Sequence, residues 1–183
     1  KDERLLRYLA KNNHWAPYAH VQLSLRLKAP LFVARQLVKH QVSLCWSEVS
    51  RRYVDFTPEF YAPEAWRKRA PDKKQGSSLE TFEGRQEERF DEKYWDLMTR
   101  CKTIYENMIA SGVAPEQARM VLPQSMMTEW YWTGSLAAFA RVVSQRISED
   151  AQYECRVIAE KIDQILVNRE EISYSWSCLT RRV

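Results

Sequence analysis

Residues 21 to 28, VQLSLRLK, alternate apolar and polar side chains without a break: Val21, Leu23, Leu25 and Leu27 fall on one face, Gln22, Ser24, Arg26 and Lys28 on the other. A period of two marks a strand with one face against a core and the other toward solvent. Two positions later Pro30 offers a φ suited to the first turn of a helix, and LFVARQLV follows with no helix breaker. The pair predicts a strand-to-helix corner. That helix would run out into KHQVSLCWSEVSRRY, residues 39 to 53, where Lys39, His40, Gln41, Ser43, Ser47, Glu48, Ser50, Arg51 and Arg52 surround Val42, Leu44, Cys45 and Trp46. A dense and varied polar cluster at a helix exit is placed for binding more than for packing.

The other periodicities fill out an α+β domain. Residues 3 to 13 read as a short helix with Leu5, Leu6 and Leu9 on one side. Phe90, Tyr94, Leu97, Met98, Cys101, Ile104, Tyr105 and Met108 recur at spacings of three and four, predicting a long amphipathic helix that stops near Gly112. Cys155, Ile158, Ile162, Ile165 and Leu166 form a second stripe and predict another helix from Ala151. Between them, MMTEWYWT has the aromatic and β-branched content of a strand. Residues 67 to 92 are crowded with charges of both signs and hold few apolar groups, which predicts a solvated loop or insertion, with a functional lid as the alternative. The expected architecture is a single domain over residues 1–183 with a small antiparallel sheet and several long helices. Seven tryptophans and nine tyrosines exceed the needs of one small core and point to aromatic surface at a ligand pocket or a subunit interface.

Composition removes several function classes. Four glycines, with no GxGxxG and no GxxxxGK[ST], leave Rossmann and P-loop readings without a phosphate cradle. Cys45, Cys101, Cys155 and Cys178 are spread apart with no CxxC, so no metal site is expected and the thiols are expected to be reduced. No apolar run approaches the roughly 18 residues of a membrane helix, and KDERLLRYLAKNN does not resemble a signal peptide. A soluble cytoplasmic protein is expected, in the host cytoplasm if the source is viral. The chain opens mid-pattern without Met, so further residues are expected upstream. A net charge of +4 suits a phosphorylated ligand, while the balanced signs of residues 67 to 92 argue against nucleic acid.

Arg35, Arg52, Arg119 and Arg146 all border apolar segments, where a guanidinium without an anionic partner is costly, so each is expected to meet one. Structural ion pairs are one reading. Convergence with Ser50 and Gln36 on a phosphate and a polar heterocycle is the other. His14 and His20 flank Pro17 in a turn-like stretch, and His40 by itself reads first as a hydrogen-bonded packing residue. No cysteine or serine has an evident base and orienting partner, so the residues by themselves indicate anion and heterocycle binding without naming a reaction.

Several segments, in order along nearly the whole chain, resemble the flavin-dependent thymidylate synthases. That family's signature Arg-His-Arg, followed after seven residues by Ser and usually running on as Asn-Glu-x-Ser-x-Arg-Tyr, corresponds here to Lys39-His40-Gln41 and to Ser47-Glu48-Val49-Ser50-Arg51-Arg52-Tyr53. HWAPYAH is similar to its His-x-Thr-Pro-Phe-Glu-His loop, GVAPEQARMVLP to its Ala-Arg-x-Val-Leu-Pro segment, and TGSLAAFARVVSQRISEDAQYE to its closing helices. The departures fall mostly on flavin-side positions. Lys39 and Gln41 replace both signature arginines, one extra residue separates His40 from Glu48, the Asn-x-Arg pair reads Ser135-Leu136-Ala137, and a later Asn or His reads Arg141. The Lys-His-Gln-Val form resembles a variant of some phage enzymes.

The resemblance implies a homotetrameric enzyme, with sites shared between subunits, that reductively methylates dUMP to dTMP. FAD would take a hydride from NADPH, and methylenetetrahydrofolate would supply the carbon, without an enzyme nucleophile. Carried over residue by residue, Arg146 would act on the uracil ring, and Gln36, Lys39, Glu48, Ser50, Arg52 and Arg119 would hold dUMP. His14, Lys39, His40, Gln41, Glu48, Ser135 and Arg141 would meet FAD. The alternatives are a flavin-dependent uridylate-modifying enzyme with a hydroxymethylated product, and a non-catalytic nucleotide- or RNA-binding protein.

Overall fold

The computed structural model describes residues 2–71 and 76–181. The alternating segment forms β1 (Gln22–Pro30), which pairs antiparallel with β5 (Met127–Ser135) over its full length, from Gln22 opposite Ser135 to Pro30 opposite Met127. A further strand, β2 (Leu44–Glu48), takes the other side of β5 and gives the order β1-β5-β2. Leu25 and Trp46 both lie opposite Trp132, and Leu27 and Glu48 both lie opposite Trp130, so one face of the sheet is lined with leucine and tryptophan. Trp46 stacks on Trp130 with ring centroids 4.3 Å apart and meets Trp132 edge-on at 5.6 Å.

Both long strands turn straight into helices that fold back over this face. β1 runs into α3 (Leu31–Leu37) at Pro30, and the unpaired amides of the first turn are caught by carbonyls of the chain before β5: Leu31 N–H by Met126 O at 2.9 Å, Phe32 N–H by Gln124 O at 3.1 Å. β5 runs into α6 (Leu136–Arg146), capped by the Ser135 hydroxyl, which accepts from Ala138 N–H at 3.2 Å. Above them lie α7 (Tyr153–Val167) and α8 (Ser173–Leu179), with α1 (Asp2–Lys11) and the short α2 (Ala16–Ala19) at the side. Val33, Leu37, Phe139, Val142, Ile162, Leu166 and Trp176 join the sheet tryptophans in one buried core.

The expected strands and helices form within a few residues of their predicted limits, and the strand β2 is an addition to them. The charged segment departs from expectation. It contains β3 (Arg67–Arg69) and β4 (Ser77–Thr81), paired antiparallel, and the first turns of α4 (Arg85–Ala110). The loop expected over 67 to 92 is therefore replaced by a hairpin and a helix start, apart from residues 72–75, which lie outside the described residues. Four aromatic rings explain the difference: Phe90 meets Phe82 at 5.1 Å and Trp66 at 6.1 Å, and Trp66 meets Tyr94 at 5.6 Å, all edge-on. A small, partly buried aromatic cluster thus underlies charges that are themselves partnered, Lys68 with Glu80 at 3.2 Å and Arg67 with Glu154. Among the described residues, no helix is long and apolar enough to cross a membrane.

Gly134 sits where β2 begins. A Cβ there would lie 2.5 Å from both Leu44 Cδ2 and Ser43 O, so only glycine lets the chain before β2 press against the β5–α6 corner. Gly134→Ala is expected to lower stability by about 1–3 kcal/mol through overpacking, read as a lower midpoint in urea unfolding.

Candidate functional site

The exit of α3 is a tight turn. Lys39 N–H reaches Gln36 O at 3.4 Å, His40 N–H reaches Leu37 O at 3.0 Å, and Leu44 N–H reaches Gln41 O at 3.1 Å. The turn is fastened to α6 by Arg141, whose Nη2 donates to Val42 O at 2.8 Å. One turn of helix further on, Arg146 Nε donates to His40 Nε2 at 2.9 Å. Since Nε2 accepts, the imidazole is neutral with its proton on Nδ1. Burial, then the charges of Arg146 and Arg141, hold its pKa below the ordinary histidine range.

Gln36, on the last turn of α3, is held at both ends of its amide. Its Oε1 accepts from the Cys155 thiol at 3.3 Å, and its Nε2 donates to Gln152 Oε1. Gln152 Nε2 donates to Glu154 Oε2 at 2.9 Å, and the other Glu154 oxygen pairs with Arg67 Nη2. The Arg67 guanidinium lies 4.5 Å from the Tyr153 ring centroid, and Tyr153 donates to Glu64 at 2.9 Å. The hairpin is thereby wired to α3 and α7. Burial pushes the Cys155 thiol up to about 11, so it stays protonated as a donor to Gln36 and offers no thiolate. Tyr61 is raised to about 12, by burial first and then by Glu154.

A second group forms around Glu116 on the short α5 (Pro115–Ala118). Arg52 Nε pairs with Glu116 Oε2 at 3.3 Å, Arg119 Nε donates to Glu116 O at 3.2 Å, and Arg52 N–H donates to Ser50 Oγ at 3.3 Å. Arg51 turns the opposite way. Its buried guanidinium donates to Phe56 O and to Tyr105 OH and lies 4.3 Å from the Phe56 ring centroid, anchoring the turn that presents Ser50 and Arg52. Glu48 is fixed by Thr128 Oγ1 at 2.7 Å and Trp46 Nε1 at 3.2 Å. Of the four arginines expected to meet an anion, Arg52 pairs with a carboxylate, Arg119 bonds a carbonyl, Arg146 bonds a neutral imidazole, and Arg35 is exposed. Among the described residues, no hydrogen bond or ion pair joins the Arg146 group to the Arg52 group.

A third feature is an open cleft of about 1390 Å³ between α1, α6 and α8, larger than the roughly 300–1,000 Å³ of ordinary ligand pockets. His14, Ser135 and Arg141 line it, with Arg7, Lys11 and Arg181 adding positive charge and alanines of α6 an apolar floor. That donor set fits a phosphate-bearing planar heterocycle, although the Ser135 hydroxyl is already committed to capping α6. Lys39, His40 and Gln41 are not part of its lining. The expected FAD contacts therefore fall in three places: His14, Ser135 and Arg141 at the cleft, Lys39, His40 and Gln41 on the turn with Lys39 and Gln41 exposed, and Glu48 at the end of β2.

Residues 1–169 match the family model described as "Thymidylate synthase complementing protein". The chain belongs to that family. It is 35% identical over 181 residues to a flavin-dependent thymidylate synthase of Thermus thermophilus, covering 97% of this chain and 63% of that protein. A flavin-dependent thymidylate synthase of Kosmotoga olearia is 34% identical over 178 residues, covering 95% of this chain and 75% of the relative. The chain thus spans less than two thirds of the Thermus protein. The fold matches two crystal structures of the UMP/dUMP methylase PolB from Streptomyces cacaoi. With 5-Br dUMP bound, the TM-score is 0.83 at 23% identity, covering 99% of this chain and 80% of that one; with 5-Br UMP bound, the TM-score is 0.86 at 22% identity, covering 99% and 83%.

The sequence gives no sign of the roles of Gln152, Glu154 and Arg67, and it places Arg51 in the polar cluster without its buried anchoring role. Arg51 and Arg52 are adjacent and chemically identical, and only the packing against Phe56 and Tyr105 separates them. Thiol titration of the native protein at neutral pH is expected to label exposed Cys45 promptly and to leave Cys155 unlabelled until denaturant is added, as peptide mapping will show.

Proposed function

We propose that this chain carries a flavin-dependent thymidylate synthase activity, the reductive methylation of dUMP to dTMP with methylenetetrahydrofolate as carbon donor and NADPH as reductant. The observation that supports it best is Arg146. Its half-buried guanidinium spends one N–H on His40 and has no carboxylate partner among the described residues, which leaves the Nη fork available to a polar heterocycle. At the uracil carbonyl and N3 it would stabilise the negative charge that develops as the ring is activated. Ser50, Arg52 and Arg119 would hold the phosphate, with Glu116 released as the anion enters. Gln36, Glu48 and Lys39 would complete the nucleotide side. Gln36 keeps lone-pair capacity on Oε1, and Glu48 is kept in place by Thr128 and Trp46.

FAD would be held by His14 and Arg141 in the cleft and by Lys39 and Gln41 on the turn, with Ser135 at its edge and Glu48 and His40 on the nucleotide side. When bound it supplies the hydride chemistry that the side chains lack. The protein's part is to orient the nucleotide, exclude water and place charge. Since no hydrogen bond or ion pair among the described residues joins the Arg52 and Arg146 groups, a homotetramer that combines them from different subunits is part of the reading, as is a cytoplasmic location. Exposed Tyr53, Met120 and Trp15 provide contact surface for such an assembly.

Anaerobic incubation of FAD-loaded protein with NADPH, methylenetetrahydrofolate and dUMP should bleach the flavin spectrum and yield a nucleotide of dTMP mass. A product of hydroxymethyl mass, or none at all, would refute the assignment. Arg146→Ala is expected to lower kcat by about 10²–10³-fold while FAD stays bound, as absorbance after desalting will show.

A further inference from the structure

We propose that His40 is a positioning residue for Arg146: its Nε2 takes the guanidinium Nε–H and so fixes the plane in which the two Nη groups face the base of a bound nucleotide. The assignment rests on the reading of Arg146 given above. An arginine side chain has several freely rotating bonds, and a fork that reads a ring is useful only when its plane is set beforehand. The Nε–H is the one donor that can be tied without consuming the fork. Here it is tied, at 2.9 Å, to an acceptor from a different element.

His40 is itself held. Its amide bonds Leu37 O at 3.0 Å, and the turn that carries it is fastened by Arg141 to Val42 O at 2.8 Å. The contact works in one protonation state only. Neutral His40 has a lone pair on Nε2, whereas protonated His40 has none and would set two cations against each other. The charged groups bearing on it are Arg146 and Arg141 from α6, with Lys39 beside it in the chain. On the α7 side, the Cys155 thiol near Arg146 stays protonated and brings no negative charge. The imidazole therefore joins the family's flavin motif to the arginine assigned to the uracil.

The decisive comparison uses the FAD-loaded full chain and calorimetric titration with dUMP and with 2-deoxyribose 5-phosphate, which carries the phosphate but no base. His40→Ala should weaken dUMP by about tenfold or more, the usual range for a hydrogen bond to a charged group, and leave the sugar phosphate within about twofold. His40→Gln places an amide oxygen near the Nε2 position and should recover most of the loss. As pH falls below the ordinary histidine range, the preference of the wild-type protein for dUMP over the sugar phosphate should shrink, while His40→Gln keeps its preference flat. Titration of the phosphate is common to both ligands and both proteins and cancels.

Equal weakening of both ligands in His40→Ala, or the same acid limb in wild type and His40→Gln, would overturn the assignment. If His40→Ala does not fold, the pH comparison between wild type and His40→Gln decides by itself. Wild-type protein that binds dUMP no better than the sugar phosphate would refute the uracil-reading role of Arg146 and this inference with it. A preserved preference together with a normal His40→Ala would refute the role of His40 alone.

Discussion

The full-length antiparallel pairing of β1 with β5 is the constraint on which the rest of the site depends. Because Pro30 lies opposite Met127 and Gln22 opposite Ser135, the helices that follow the two strands start at opposite ends of the pair. Both fold back over the same tryptophan-lined face, so their C-terminal ends are brought together. The exit of α3 supplies His40 and the last turn of α6 supplies Arg146. Each helix end presents the negative end of its dipole, a setting that favours a cation. This accounts for a half-buried guanidinium whose protein partner is a neutral imidazole and not a carboxylate.

Around that meeting point the protein uses polar groups in short relays. Cys155, Gln36, Gln152, Glu154 and Arg67 form a continuous hydrogen-bonded line from the core face of α7 to the β3–β4 hairpin. Cys155 and Glu154 are buried and Gln36, Gln152 and Arg67 half-buried, so a break in the relay would leave polar groups poorly solvated. The charged segment is consequently part of the scaffold behind Gln36. Arg51 serves the other group in a comparable way, with two aromatic rings and two oxygens holding one guanidinium so that its neighbour Arg52 projects outward.

The departures from the family signature acquire a physical meaning in this arrangement. Lys39 and Gln41 are exposed on the turn, where a charge or an amide can be exchanged without disturbing the core. His40, the residue kept between them, is the one with a fixed partner. Arg141 fastens the turn through Val42 O, and Gly134 clears the space in which that turn lies.

Much of the fold was legible in the sequence. The period of two in VQLSLRLK, the Pro30 corner and the three-four spacing of apolar residues in the later helices are local properties, and local backbone preference with one-sided burial was enough to determine them. The family resemblance likewise rests on residue order. What stayed hidden were relations between distant segments: β2, whose Leu44 and Trp46 mean little until β5 lies beside them, and the hairpin in the charged stretch, which exists because Trp66, Phe82, Phe90 and Tyr94 meet. The choice of Arg51 for burial and Arg52 for the surface, and the tie between His40 and Arg146, were also decided only in three dimensions. The sequence determined which groups carry charge and hydrogen-bonding capacity; the tertiary structure decided which of them face each other, because burial and hydrogen-bond partnership depend on strand register and helix direction and not on distance along the chain.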